Sequence, residues 1–256
     1  MTALKLTIPT TLLNLTQRQL IFISRLFLMG YSETEFLIKA FLFLSNLKIV
    51  KSPGIGDDMY FKHKSIRKPT IIDTELLAQM AEKCRFLLDT EEVRPVRWIN
   101  FARARHFRLY NATFGEYLMA ENYYFAFVGT RKDEHLNKLM AVLYRRPWHR
   151  WNSDKIQSRA KQFAKVDPAV KNSVFMWYIG FRALVPKRCP NLFAGKKSSG
   201  DFNVRNYING MIHQLSGGNI TLNNQLMNQP VWNALDEMEQ RALDAARLEE
   251  AYKNNK

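Results

Sequence analysis

Three short polar motifs at one fixed spacing constrain the fold of this chain more than any other feature. Each places a hydroxyl residue three positions before a Gln or Glu: Thr16 before Gln19, Ser32 before Glu35, and Thr113 before Glu116. This is the capping box, in which the two side chains satisfy backbone N–H groups at the start of a helix. Apolar residues follow at helical spacing, as in Leu20, Ile23 and Phe27. The chain is therefore predicted to be mainly α-helical.

The other local patterns predict about eight helices and a small amount of β-structure. Two short alternating stretches flank the loop Pro53-Gly54-Ile55-Gly56-Asp57-Asp58, which predicts a β-hairpin over residues 47–62. Later helices are expected near residues 133–144, 153–163 and 168–184, and over 204–215. The stretch 93–109 is rich in arginine and has no periodicity, so it is predicted to be an extended connector.

The C-terminal part of the chain is predicted to form a separate helical arm. Residues 195–201 have the composition of a basic linker between a domain at 1–194 and an arm at 202–256. The last helix, which Pro230 opens, carries apolar residues at alternating spacings of four and three: Val231, Leu235, Met238, Ala242 and Ala245. A narrow seam of this kind is typical of a helix that lies along another helix. We therefore expect this helix to associate with a partner or with a second copy of the chain; the alternative is an intramolecular contact with the chain's own basic residues 131–197.

Positive charge is concentrated in one segment. Residues 131–197, which we call the basic belt, contain sixteen lysines and arginines and four acidic residues, a net charge of +12 within a total of +15. Such a segment attracts anions, and in a cell these are chiefly nucleic acids and acidic protein surfaces. The belt is therefore expected to bind one of these two partners.

Cations alternate with large aromatic residues at one point of the belt, residues 144–151. In one interpretation, phosphates lie on the arginines and a base stacks on a tryptophan. In the other, both tryptophans pack into the core and the arginine stems cover apolar surface. The candidate anion- or partner-binding residues are Arg145, Arg146, Trp148, Arg150, Trp151, Lys155, Arg159 and Lys161.

No motif for catalysis or for a cofactor accompanies the belt. The Gly195-Lys196 pair lacks the remaining residues of a phosphate-binding loop, because Lys197 stands where Ser or Thr is needed. The five histidines and two cysteines show no metal-ligand spacing, and no serine has the GxSxG context. The most apolar window, residues 174–185, falls short of the roughly twenty residues that a membrane span needs. The prediction is a protein without enzymatic activity, metal, cofactor or membrane insertion.

Two stretches of the chain resemble a group of phage proteins. One is Ile8-Pro9 with Leu15-Thr16-Gln17-Arg18-Gln19-Leu20, and the other is Thr113-Phe114-Gly115-Glu116-Tyr117 with Ala141-Val142-Leu143-Tyr144-Arg145. Together with Trp232-Asn233-Ala234-Leu235-Asp236-Glu237-Met238, they are similar to uncharacterised phage and prophage proteins of Bacteroidota, encoded among tail and late structural genes. The resemblance implies a role in phage morphogenesis and supplies no catalytic residues.

From these observations the expected function is a non-enzymatic role in virion or tail assembly through protein–protein contacts. Its partners would be other phage structural or assembly proteins, or a second copy of the chain. The expected location is the bacterial cytoplasm during assembly, with the virion as a further possibility. The alternative is a nucleic-acid-binding protein that uses the basic belt.

Overall fold

All three capping boxes start an α-helix. In the computed structural model, Thr16, Ser32 and Thr113 each accept a hydrogen bond from the third helical N–H, and the Gln or Glu at that position accepts one in return. The structure describes residues 6–51, 58–65, 68–89, 91–149, 151–193 and 204–254. Within these residues it is mainly helical, with two small three-stranded antiparallel sheets. The predicted fold class is confirmed.

Eleven α-helices lie within the described part of the chain. They are α1 (Gln17–Leu28), α2 (Glu33–Leu44), α3 (Thr74–Ala81), α4 (Phe114–Thr130), α5 (Asp133–Leu143), α6 (Ile156–Ala160), α7 (Pro168–Arg188), α8 (Pro190–Phe193), α9 (Val204–Ser216), α10 (Asn223–Asn228) and α11 (Val231–Asn254). Short 3-10 helices occur at Leu12–Asn14, Glu82–Leu88, Ser153–Lys155, Lys161–Phe163 and Ile220–Leu222. The helix predicted over 153–163 is therefore a short α-helix between two 3-10 turns.

The first sheet contains the predicted hairpin. Its strands β1 (Lys48–Lys51) and β2 (Asp58–Lys62) pair with Ile49 opposite Phe61, and β3 (Thr70–Asp73) adds a third strand beside β2. Phe61 is fully buried and anchors the sheet on the core. Residues 52–57, the loop of the hairpin, lie outside the described residues.

A second sheet replaces part of the predicted connector. Strands β4 (Trp98–Ile99) and β5 (Ala102–Ala104) form a tight antiparallel pair, and β6 (Tyr144–Arg145) joins β5 from the end of α5. The prediction of an extended connector over 93–109 is wrong in this respect. These strands are two or three residues long, which is too short to show an alternation of apolar and polar residues. The third strand, β6, also lies about forty residues further along the chain than β5.

The arginine-rich segment is also held tightly against α7. A Cβ atom added at Gly180 would lie 2.3 Å from the carbonyl oxygen of Glu91, so only glycine permits this approach. The Trp177 side chain donates a hydrogen bond to the Phe107 carbonyl at 2.8 Å, and the Trp232 side chain donates one to the Arg108 carbonyl at 2.6 Å. Buried aromatic side chains thus fix the backbone of this segment.

The first half of α11 belongs to the common core, which corrects the prediction of a free association helix. Val231, Leu235 and Met238 are all completely buried, in the same cluster of apolar residues that begins at Leu12. Ala242 is half-buried and Ala245 is exposed. The seam faces the protein's own α4, α8 and α9, because a helix packed on a core shows the same spacing of four and three as one packed on a partner.

Polar contacts also tie α11 to the rest of the fold. Arg188 at the end of α7 forms a bidentate ion pair with Asp236, and the Glu239 carboxylate accepts the backbone N–H groups of Asn191 and Leu192. These contacts attach α11 up to Glu239 to helices that precede the predicted linker, while the division into a domain and an arm stays a prediction. The predicted linker, residues 195–201, lies outside the described residues.

Candidate anion-binding site

The second sheet brings together two basic stretches that are far apart in sequence. Arg103 of β5 lies opposite Trp98 of β4 on one side and opposite Arg145 of β6 on the other. Directly opposed residues in antiparallel strands project from the same face of a sheet. One face therefore carries Trp98, Arg103 and Arg145 side by side, and the basic belt meets the arginine-rich segment there.

A single buried carboxylate lies beneath these arginines. Glu116, only 2% exposed, accepts a hydrogen bond from the Arg105 guanidinium and lies 3.7 Å from that of Arg145. Its other oxygen accepts the Thr113 N–H at 2.8 Å as part of the capping box of α4. The carboxylate thus links the start of a core helix to the charged surface.

The positive charge around Glu116 exceeds what this carboxylate balances. Burial lowers the pKa of Arg145, and repulsion from Arg105 lowers it further. Burial also lowers the pKa of Arg159, and Glu116 opposes that shift while Arg105 adds to it. Guanidinium groups stay charged at neutral pH even so. Arg105 and Arg145 therefore share one carboxylate, an arrangement that a bound anion would stabilise.

A pocket of about 200 Å³ opens beside this cluster, and we call it the belt pocket. Its apolar wall includes Tyr144 and Phe163, and its polar wall consists of Arg146, His149, Lys155, Ser158, Arg159 and Gln162. No acidic residue is among the described residues that line it. Three of the predicted anion-binding residues thus surround one cavity.

Trp148 stands at the edge of this pocket in an unusual conformation. The His149 N–H donates to the Arg146 carbonyl at 3.3 Å, which closes a turn with Pro147 and Trp148 at its centre. Trp148 has φ of +68°, a value that suits glycine at the third position of such a turn and that strains a bulky residue. Its side chain is fully exposed. The turn therefore presents a bare indole ring to solvent.

The interpretation as an exposed stacking surface fits Trp148, and the interpretation as a core residue fits Trp151. Trp148 is free in solvent, as a stacking surface requires, whereas Trp151 is half-buried and packs against the core. Lys161 is exposed and lies outside the residues that line the belt pocket. Arg150 lies outside the described residues. The sites of Arg145, Arg146, Trp148, Lys155 and Arg159 are adjacent in the fold.

Sequence reasoning missed the contribution of the segment before α4. Arg103 and Arg105 lie in or next to β5, the exposed Trp98 lies in β4, and the exposed Phe101 lies at the tip of the β4–β5 hairpin. The available indication was composition, since residues 94–108 contain five arginines and no acidic residue. Pairing of β5 with β6 is what makes this segment part of the same surface.

Other kinds of site find no support in the described residues. No group of three or more His, Cys, Asp or Glu side chains is placed to hold a metal ion. Within the same residues, no helix is both long and apolar enough to cross a membrane. Comparison with known proteins found no matching family model, no matching curated protein and no matching solved structure.

Proposed function

We propose that this protein binds single-stranded nucleic acid at the belt pocket and the Trp148 turn. The observation that carries the proposal is the fully exposed Trp148, held at positive φ beside a cationic, acid-free pocket. Backbone phosphates would lie on Arg146, Lys155 and Arg159, and an unstacked base would lie on the indole ring.

The surroundings of Trp148 favour a nucleic acid over an acidic protein. Anchor residues of protein interfaces lie in apolar patches that exclude water. Trp148 instead projects alone, between Pro147 and His149, with Arg146 at the start of the same turn. An exposed aromatic ring beside the cations of the belt pocket matches an alternation of bases and phosphates. Stacking on the ring requires a base that is not already stacked in a duplex, which favours single strands.

Fluorescence anisotropy with a labelled single-stranded oligonucleotide of about twenty residues tests this proposal. Trp148→Gly relieves the positive φ while it removes the ring, so the fold should remain intact. We expect it to weaken binding about tenfold, the loss of one stacked base. Trp148→Phe keeps a ring and should retain most of the affinity. Tyr252→Ala removes another exposed aromatic ring, on α11, and should have no effect.

The salt dependence tests the phosphate contacts separately. Arg146→Ala combined with Lys155→Ala should lower the slope of log affinity against log salt by about 1.4, since each phosphate contact to a single strand contributes about 0.7. Lys48→Ala with Lys62→Ala removes the same charge from the first sheet and should leave the slope nearly unchanged. Equal effects of the two pairs, together with full binding by Trp148→Gly, would show that the site lies elsewhere.

The role in virion or tail assembly stays a proposal with less support. Three of the five seam residues that suggested it are buried in the protein's own core. Its remaining support is the outer half of α11, where Leu248 is 61% exposed and Tyr252 is 74% exposed. A helix end of this kind is available to a neighbouring protein, and the oligomeric state of a shortened chain tests it.

A further inference from the structure

A second and larger basic cavity lies beside the second sheet, and no part of the proposed function uses it. It has a volume of about 550 Å³, within the range of small-molecule sites. Its wall includes Arg94, Arg97, Arg103 and Arg105, and we call it the arginine pocket. No aspartate or glutamate is among its described lining residues. Four guanidinium groups around one cavity create a strongly positive potential.

The wall of the arginine pocket is fixed by buried hydrogen bonds. The Tyr144 hydroxyl donates to the Val96 carbonyl at 2.7 Å, and the Arg105 N–H donates to the Leu143 carbonyl at 2.9 Å. The Trp177 bond to the Phe107 carbonyl holds the far end of the same segment. The arginines therefore project from a rigid backbone, which lowers the entropy that binding would cost.

Arg105 gives a specific indication that a ligand belongs in this pocket. Its side chain is 8% exposed, and its terminal nitrogen Nη2 donates to Glu116. Its Nε atom is buried and has no hydrogen-bond partner among the described residues. A buried polar group without a partner is rare and calls for an explanation. Arg105 lines the pocket, and an anion there would supply the missing acceptor once the guanidinium turns toward the cavity.

Two further groups add hydrogen-bond donors to the pocket. Thr16 and Gln17, at the start of the twelve-residue helix α1, line the cavity, so the positive end of that helix dipole faces it. His106 also lines it, and its Nδ1 accepts the Arg108 N–H at 3.2 Å. The neutral ring then carries its proton on Nε2, where it is a donor.

We propose that the arginine pocket binds the di- or triphosphate group of a nucleotide. A phosphodiester carries one negative charge, too few to match four guanidinium groups in one cavity. A terminal polyphosphate concentrates several charges and presents many oxygens to bidentate donors. Leu15, Pro95 and Phe107 add apolar surface to the same wall, which suits the base or sugar of the nucleotide. A free nucleoside triphosphate and the 5′-triphosphate end of a nucleic acid share this chemistry.

Isothermal titration calorimetry with inorganic tripolyphosphate tests the site on the intact protein. We expect saturable binding of one tripolyphosphate per chain. Arg94→Ala with Arg97→Ala should weaken it at least about tenfold, because two charge-assisted contacts are lost. Both residues are exposed, so the fold should be unaffected. Lys48→Ala with Lys62→Ala removes equal charge and should change the affinity less than about twofold. Absence of saturable binding, or equal weakening by both pairs, would overturn the proposal.

Two further titrations distinguish the source of the polyphosphate. Tighter binding of a nucleoside triphosphate than of tripolyphosphate would identify a free nucleotide as the ligand. Tighter binding of a 5′-triphosphorylated oligonucleotide than of its 5′-hydroxyl form would identify a nucleic-acid end. The Trp148→Gly variant should bind tripolyphosphate normally, and the Arg94/Arg97 variant should keep most of its binding to the 5′-hydroxyl strand. The two proposals can therefore fail independently.

Discussion

Replacing Glu116 with glutamine tests whether one buried carboxylate holds the charged surface together. The amide keeps the shape of the side chain and an oxygen for the Thr113 N–H, so the cap of α4 is preserved. The negative charge that Arg105 and Arg145 face is lost. The perturbation thus isolates the charge from the helix cap.

The expected loss of stability in Glu116→Gln follows from the burial of this ion pair. Removing one member of a buried ion pair costs about 3–5 kcal/mol of unfolding free energy. The lower end applies here because Arg145 is 28% exposed and can turn toward water, whereas Arg105 cannot. A loss of about 3 kcal/mol in a chain of this size lowers the melting temperature by about 6–12 °C.

Thermal unfolding followed by circular dichroism measures this loss, and Thr113→Ala is the matched control. That variant removes the other half of the capping box and keeps the carboxylate, so it should lose only about 1 kcal/mol. We also expect tripolyphosphate to raise the melting temperature of Glu116→Gln more than that of the wild type, since the added anion replaces the lost charge. A Glu116→Gln protein as stable as the wild type would refute the ion-pair argument.

Two further predictions concern α11. Leu235→Ala should lower the unfolding free energy by about 2–5 kcal/mol because it leaves a cavity in the core, whereas Ala245→Ser should change it by less than about 0.5 kcal/mol. Chemical denaturation measures both values. Equally small effects of the two variants would show that Leu235 lies on the surface of the protein. Deleting residues 246–256 removes Leu248 and Tyr252 and should leave the melting temperature within a few degrees of the wild type. Light scattering then measures the mass of the particle in solution. Loss of an oligomer in the shortened chain would support the assembly role, and the same oligomeric state at all concentrations would remove its remaining support.

The helical part of the fold was predictable because its determinants are local. A capping box such as Ser32 with Glu35 specifies a helix start within four residues, whatever the rest of the chain does. The second sheet was not predictable for the opposite reason. The pairing of Ala104 with Tyr144 depends on the packing of α4 and α5 between them, and its strands are too short to show a period.

The seam of α11 shows a different limit of sequence reasoning. Val231, Leu235 and Met238 have the spacing of a helix that packs on another surface, and this inference is correct. The spacing does not say whether that surface belongs to the same chain. Trp232 and Ala234 are also buried, which widens the apolar face beyond the two positions per heptad of a coiled coil. That width was the available indication of core packing.

At the candidate site, charge was predictable from the sequence and exposure was not. The excess of lysine and arginine in the belt is a matter of counting, and Arg146, Lys155 and Arg159 do surround one pocket. Which tryptophan would face solvent depends on the turn at Pro147, which directs Trp148 outward, and on the core contact of Trp151. Both are tertiary features that no local pattern specifies.

Two features that lower the stability of the protein both lie near the second sheet, and their proximity is an argument for function. The other non-glycine residues at positive φ have structural reasons: Asn46 and Asn100 tolerate the conformation, Arg131 caps α4, and Leu109 is held in the buried core. Trp148 has none, since glycine would be less strained and a tryptophan there contacts no core. Arg105, next to β5 in the second sheet, has a buried Nε atom without a partner among the described residues, and it shares the Glu116 carboxylate with Arg145. A chain selected for stability alone would relieve both features with single substitutions. Their persistence around the second sheet is expected if a bound anion completes the structure.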